Sequence, residues 1–202
     1  MDAGAVVFGL VIVGPAVAWW LQPARRARRK IAGAMKKRLA ETRDGELVAF
    51  RGVIAAAGEP LWSPLTGREC VAYRFSFTEA GERLGGVVRM EHAVSFVVAA
   101  DGMEAVVRGE VLLGLEPRPV DEALCPGLED LLQQRGRSRH GLFGEGTFRC
   151  QETLLCAGDE VSVLGRISIE VDQAGLRESA RGLPVRRIIR GEPGNPVIVG
   201  PP

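Results

Sequence analysis

Four cysteines and two histidines are the side chains in this 202-residue sequence whose types could carry nucleophilic or metal chemistry: Cys70, His92, Cys125, His140, Cys150 and Cys156. A cysteine nucleophile needs a base within reach, and a zinc site needs thiolate and imidazole ligands gathered in close pairs. The six residues are scattered, and no CxxC pair occurs, which argues against a cysteine-rich zinc site. Cys70 and Cys150 fall inside strand patterns, Cys125 precedes Pro126, and Cys156 precedes a turn. Each reads as a small buried hydrophobe rather than half of a disulfide. His92 is expected as a hydrogen-bonded residue on the apolar face of its strand, and His140 as a solvated loop residue. The sequence therefore predicts no catalytic residue, no metal and no cofactor. A membrane-tethered cysteine-dependent enzyme is the alternative, and it would require one unusually reactive thiol.

Two other segments invite a chemical reading. Ser63-Pro64-Leu65-Thr66-Gly67 has the look of a nucleophile turn but lacks the G-x-S-x-G frame, so Pro and Gly account for it as a structural turn. Gly85-Gly86 and the glycines from Gly141 to Gly146 belong to no P-loop or dinucleotide fingerprint. The stretch from Arg135 to Gly146 (RGRSRHGLFGEG) is expected as a mobile loop. Its Arg135, Arg137 and Arg139, beside Leu142 and Phe143, are candidates for contact with an acidic partner or lipid headgroups.

The elements that would position these residues divide the chain by charge. Between Arg25 and Arg43 lie nine basic residues and one acid, whereas Asp44 to Pro202 carries 17 Arg, no Lys and 23 acids. A net charge of −6 over that body, with 5% aromatics in the chain, argues against nucleic acid as a partner. Ahead of the basic stretch, Ala3 to Leu21 holds no charged side chain. As a helix it would reach roughly 28 Å, about the thickness of a bilayer core. Trp19 and Trp20 close the run where rings favour the interface, and Arg25, Arg26, Arg28, Arg29 and Lys30 follow. Residues 1–22 are thus expected as an uncleaved single-pass anchor. Positive charge stays inside, which puts the N-terminus outside and the C-terminal domain in the cytoplasm. Ala5/Gly9 and Gly14/Ala18 have the spacing that pairs helices in lipid, a route to a homo-oligomer. Residues 23–45 then read as a basic amphipathic linker, with Ile31, Met35 and Leu39 on one face.

From Glu46 the period changes to strand alternation. Strands are expected at Leu47–Ala55, at Val71–Phe77, along a single run from Val88 to Val98, and at Glu104–Val107 after an Asp101-Gly102 hairpin turn. Leu124, Leu128, Leu131 and Leu132 suggest one short helix ending near Gly136. Strand signals resume at Phe148–Leu155, Val161–Ile169, Val185–Ile189 and Pro196–Val199. The fold class is mainly β: a small OB-like or partly closed β-barrel with one short helix, preceded by the N-terminal transmembrane helix.

Two segments carry a family resemblance. One is Arg51-Gly52-Val53 followed by Pro60 to Arg74, with Ser63, Pro64, Gly67, Cys70 and Tyr73. The other runs from Glu152 to Arg166, with Gly158, Asp159 and Gly165. Together with the Phe96–Val107 hairpin they resemble the GIDE domain, also called BAM for "beside a membrane". That domain occurs in membrane-anchored RING ubiquitin ligases and in shorter bacterial and archaeal proteins. The resemblance covers about residues 46–191, leaving 192–202 as a tail. It implies a membrane-adjacent binding module without chemistry of its own, since the ligases' activity lies in a separate RING with two zinc ions. Four Cys and two His cannot supply the eight ligands a RING needs. The ligases' second membrane helix has no counterpart after Ile188 in this sequence. The expected function is a single-pass anchored module that recruits a protein partner beside the bilayer, with membrane lipids as its surroundings. A structural or lipid-sensing membrane protein is the further alternative.

Overall fold

The computed structural model describes residues 25–34, 36–55, 59–79, 88–134, 136, 140–141, 144–145, 147–171 and 185–202. The apolar stretch expected as the anchor lies outside them, as do Trp19, Trp20, Arg135, Arg137, Arg139, Leu142 and Phe143. Among the described residues no helix is long and apolar enough to cross a membrane. The first described element is a helix, α1, at residues 25–33, followed by a 3-10 turn at Leu39–Glu41. Strands β1 (Leu47–Ala55), β2 (Leu61–Trp62), β3 (Glu69–Cys70), β4 (Ala72–Glu79), β5 (Val88–Ala93), β6 (Phe96–Ala100), β7 (Met103–Gly109), β8 (Val111–Leu113) and β9 (Arg118–Val120) come next. Helix α2 (Leu128–Gln134) precedes β10 (His140–Gly141), β11 (Gly144–Glu145), β12 (Phe148–Leu155), β13 (Glu160–Val171), β14 (Val185–Gly191) and β15 (Val197–Gly200).

Five strands close into a barrel in the order β1-β6-β7-β14-β13, with β13 returning to β1. All these pairings are antiparallel except β7 with β14. β1 makes the closure by pairing its first seven residues with β13 and its last three with β6. The β6–β7 hairpin turns at Asp101 and Gly102, both at positive φ, as its twist requires. Inside sit Phe50, Phe96, Val98, Val107, Val163, Ile167 and Ile189, and Leu39 from the 3-10 turn joins them. The barrel is closed rather than partly open, which leaves fewer exposed sheet edges.

A second sheet, β5-β4-β12-β9, comes from chain inserted between β1 and β6 and between β7 and β13. β4 is buried on both faces over its first six residues. Tyr73, Phe75 and Phe77 face Leu128, Leu131 and Leu132 of α2 in a separate core. The rings of Tyr73 and Phe75 stack at 5.8 Å, and Phe148 meets Phe77 edge-on at 6.3 Å. Ala72 on the opposite face joins the barrel core.

Several expectations are corrected here. The run from Val88 to Val98 is two strands in different sheets, β5 and β6, because the chain leaves one sheet at Val94-Ser95. His92 is exposed, its ring 6.1 Å from that of Tyr73. The helix of the basic linker stops at residue 33; Lys36 then bridges to Ala49 of β1, and Leu39 belongs to the barrel core rather than to a continuous helical stripe. The expected tail contains β15, which pairs with β13 and β8 and buries Val197 and Val199. The segment expected as a loop after Gly136 contains the β10–β11 pair.

Candidate functional site

The two segments that carry the resemblance meet in the second core. Ser63 and Thr66 sit on a turn between β2 and β3, closed by Gly67 N–H donating to the Ser63 carbonyl at 2.8 Å. Gly67 takes φ +67, a left-handed conformation that side-chain-bearing residues resist. The turn packs at the start of α2, where Gly127 N–H donates to the Leu65 carbonyl at 3.3 Å. Glu152 lies opposite Phe75 on β12 and is 5% exposed. The Ser63 hydroxyl donates to Glu152 Oε1, and the Thr66 hydroxyl reaches Oε2 at 2.8 Å. A buried carboxylate needs such donors, because its desolvation is otherwise uncompensated. Pro64 holds the turn between these two hydroxyls. With Ser63 2% exposed, the pair offers a substrate no approach.

Beyond Glu152 the same strand leads into a second turn. Asp159 Oδ2 accepts from the Cys156 N–H at 2.7 Å, and Gly158 turns at φ +88. Val71 N–H donates to the Leu155 carbonyl at 2.7 Å, so the two motifs are also joined through the backbone. The Cys156 thiol lies 3.4 Å from the Glu69 carbonyl. Gly165 packs so closely under Ile189 that a Cβ would collide with it.

None of the four cysteines forms a disulfide among the described residues. Burial pushes the Cys70 thiol up to about 12, and Cys156 and Glu152 add to the effect. Burial also raises Cys156, with Asp159 next in importance. Both shifts disfavour the thiolate that nucleophilic chemistry requires. Cys150 is buried opposite Phe77, and the Cys125 thiol lies 3.4 Å from the Asp121 carbonyl. Tyr73 is likewise raised by burial. Among the described residues no three His, Cys, Asp or Glu side chains converge as a metal-binding group.

Two features were not read from the sequence. Arg74, 4% exposed, donates to the carbonyls of Leu113 and Leu115, each at 2.6 Å, while Glu91 beside it accepts the Leu113 N–H at 3.1 Å. This pair serves the free edge of β8 and ties the second sheet to the barrel sheet. Its only sequence signal was a charge among alternating apolar residues. The second is the docking of α1. Ala27, Ile31 and Ala34 pack on Ala49, Leu112, Leu164 and Ile198 outside the barrel. Arg25, Arg26, Arg28, Arg29 and Lys30 occupy its exposed face, with Arg28 3.0 Å from Glu116. The Ala27–Ile31–Ala34 spacing was legible, but Ala reads weakly as an apolar contact.

No protein-family model matches the chain, and a search of curated proteins finds no significant match.

Proposed function

We propose that this chain is a single-pass, membrane-anchored GIDE-like module whose OB-type β-domain recruits a protein partner on the cytoplasmic side of the bilayer and performs no chemistry of its own. The observation that carries this reading is the Ser63–Glu152 hydrogen bond. It unites the two sequence segments of the resemblance as one structural unit, as a shared domain would need. The barrel's strand order supports the OB-type reading. Taken in chain order as first to fifth, β1, β6, β7, β13 and β14 run first-second-third-fifth-fourth, with the third and fifth parallel. The raised Cys70 and Cys156 thiols weigh against a cysteine enzyme. The test is crosslinking of tagged full-length protein in its native membrane, followed by mass spectrometry. One dominant partner crosslinked to the β-domain supports recruitment; self-crosslinks alone count against it.

A further inference from the structure

A cavity of about 380 Å³ opens between α1 and the outer wall of the barrel. Among the described residues its charged lining is cationic: Lys30 from α1, Arg166 from β13 and Arg190 from β14. Its floor is apolar, with Leu47, Leu164 and Ile198. Arg166 donates to the Gly45 carbonyl, which uses one of the five N–H groups of a guanidinium. Arg190 is steadied from outside the cavity by Glu170 at 3.3 Å. Cations from three elements above an apolar floor suit a ligand that is anionic at one end and hydrocarbon-like at the other.

The chain brings this cavity to a source of such ligands. Four residue-to-residue steps lead from Leu21, the end of the apolar stretch, to Arg25 at the start of α1. Fully extended, they span at most about 14 Å. Lys30 follows within about 8 Å along the helix. On the reading that Ala3–Leu21 is embedded, the cavity is tethered within reach of the headgroup layer. We infer that this cavity takes the headgroup of an anionic phospholipid, its phosphate held by Lys30, Arg166 and Arg190 and its glycerol region laid on the apolar floor. The inference rests on the proposed anchor and gives the module a specific lipid ligand. Occupation would fix the β-domain's orientation at the surface.

Gly33 allows a direct test, because it lines the cavity and a Cβ built on it meets nothing within 4 Å. Full-length protein in detergent would be exposed to equal phosphatidylglycerol and phosphatidylcholine, and the retained lipid counted by native mass spectrometry. The expected wild-type preference for phosphatidylglycerol is about tenfold. Gly33→Leu, which fills the cavity without touching a charge, should abolish the preference. Lys30→Gln with Arg166→Gln should do the same if Gly33→Leu fails to fold by circular dichroism. Equal retention of the two lipids, an undiminished preference in the folded variants, or displacement of lipid by inorganic phosphate would each overturn the inference. Carbonate extraction of native membranes reads the anchor separately: release of the chain overturns the anchor, whereas loss of lipid preference overturns the cavity's role alone.

Discussion

Ser63 donates its hydroxyl to the carboxylate of Glu152 across 89 residues of sequence, with both side chains buried. Thr66 donates to the same carboxylate, so two hydroxyls from one turn satisfy an acid on an inner strand of the second sheet. The relationship is a latch. It fixes the turn against β12 and α2, and through them orders the aromatic core of Tyr73, Phe75 and Phe77.

Ser63→Ala removes one donor and leaves the carboxylate under-satisfied. The expected loss is about 1–3 kcal/mol in urea unfolding. In a double-mutant cycle with Glu152→Ala, the coupling should be about 0.5–3 kcal/mol. Strict additivity would mean that the two side chains are neighbours without an interaction.

Arg74 spans two carbonyls with one planar guanidinium, a geometry an ammonium cannot match. Arg74→Lys should therefore be destabilised almost as strongly as Arg74→Met, by about 2–4 kcal/mol for two orphaned carbonyls. Glu91→Ala, which removes the acceptor, should accelerate hydrogen exchange at the Leu113 amide without unfolding the barrel. Unchanged exchange there would show that the Glu91 carboxylate does not hold this edge of β8.

Cys70 yields a pH dependence. Its pKa is raised from an ordinary 9.0 to about 12 in the folded chain, so between those values the unfolded state sheds a proton that the folded state keeps. Stability from this group is intact below pH 9 and falls as pH rises toward 12, by up to about 1.4 kcal/mol per pH unit. Cys70→Ala should flatten that slope relative to the native chain in denaturant titrations. Alkylation of Cys70 should also proceed far more slowly than that of a free thiol at pH 8; rapid labelling in the folded state would revive the cysteine-enzyme reading.

The docking of α1 depends on close approach. A Cβ on Gly114 would lie 2.7 Å from that of Ala27. Gly114→Ala is expected to loosen α1 while leaving the barrel folded. The readout is faster hydrogen exchange over residues 25–33, with exchange in β1 and β13 unchanged. Equal acceleration in the barrel strands would mean that α1 is an integral part of the core rather than a docked element.

The amino-acid sequence alone determined the element types wherever periodicity was strong. β1, β12 and the Asp101-Gly102 turn fall where alternation and turn chemistry put them, because strand faces and positive-φ positions leave local signatures. It also marked the Ser63 end of the latch, since Pro, Gly and hydroxyl residues in Ser63–Gly67 specify a tight turn by themselves; Glu152 stood out only through the family resemblance. Only the tertiary structure decided what those elements touch. The run from Val88 to Val98 alternates without interruption, so nothing local revealed that it serves two sheets. Arg74 and Glu91 looked like outward charges until β8 was placed against them. The strand signal at Pro196–Val199 was legible, but only β13 and β8, as its backbone partners, make β15 part of the domain rather than of a tail. Lys30, Arg166 and Arg190 are 160 positions apart at their extremes, and only barrel closure with α1 docked outside brings them around one cavity. Local conformation is encoded within a few residues, whereas sheet partnership and the convergence of distant charges follow from how the whole chain closes on its core.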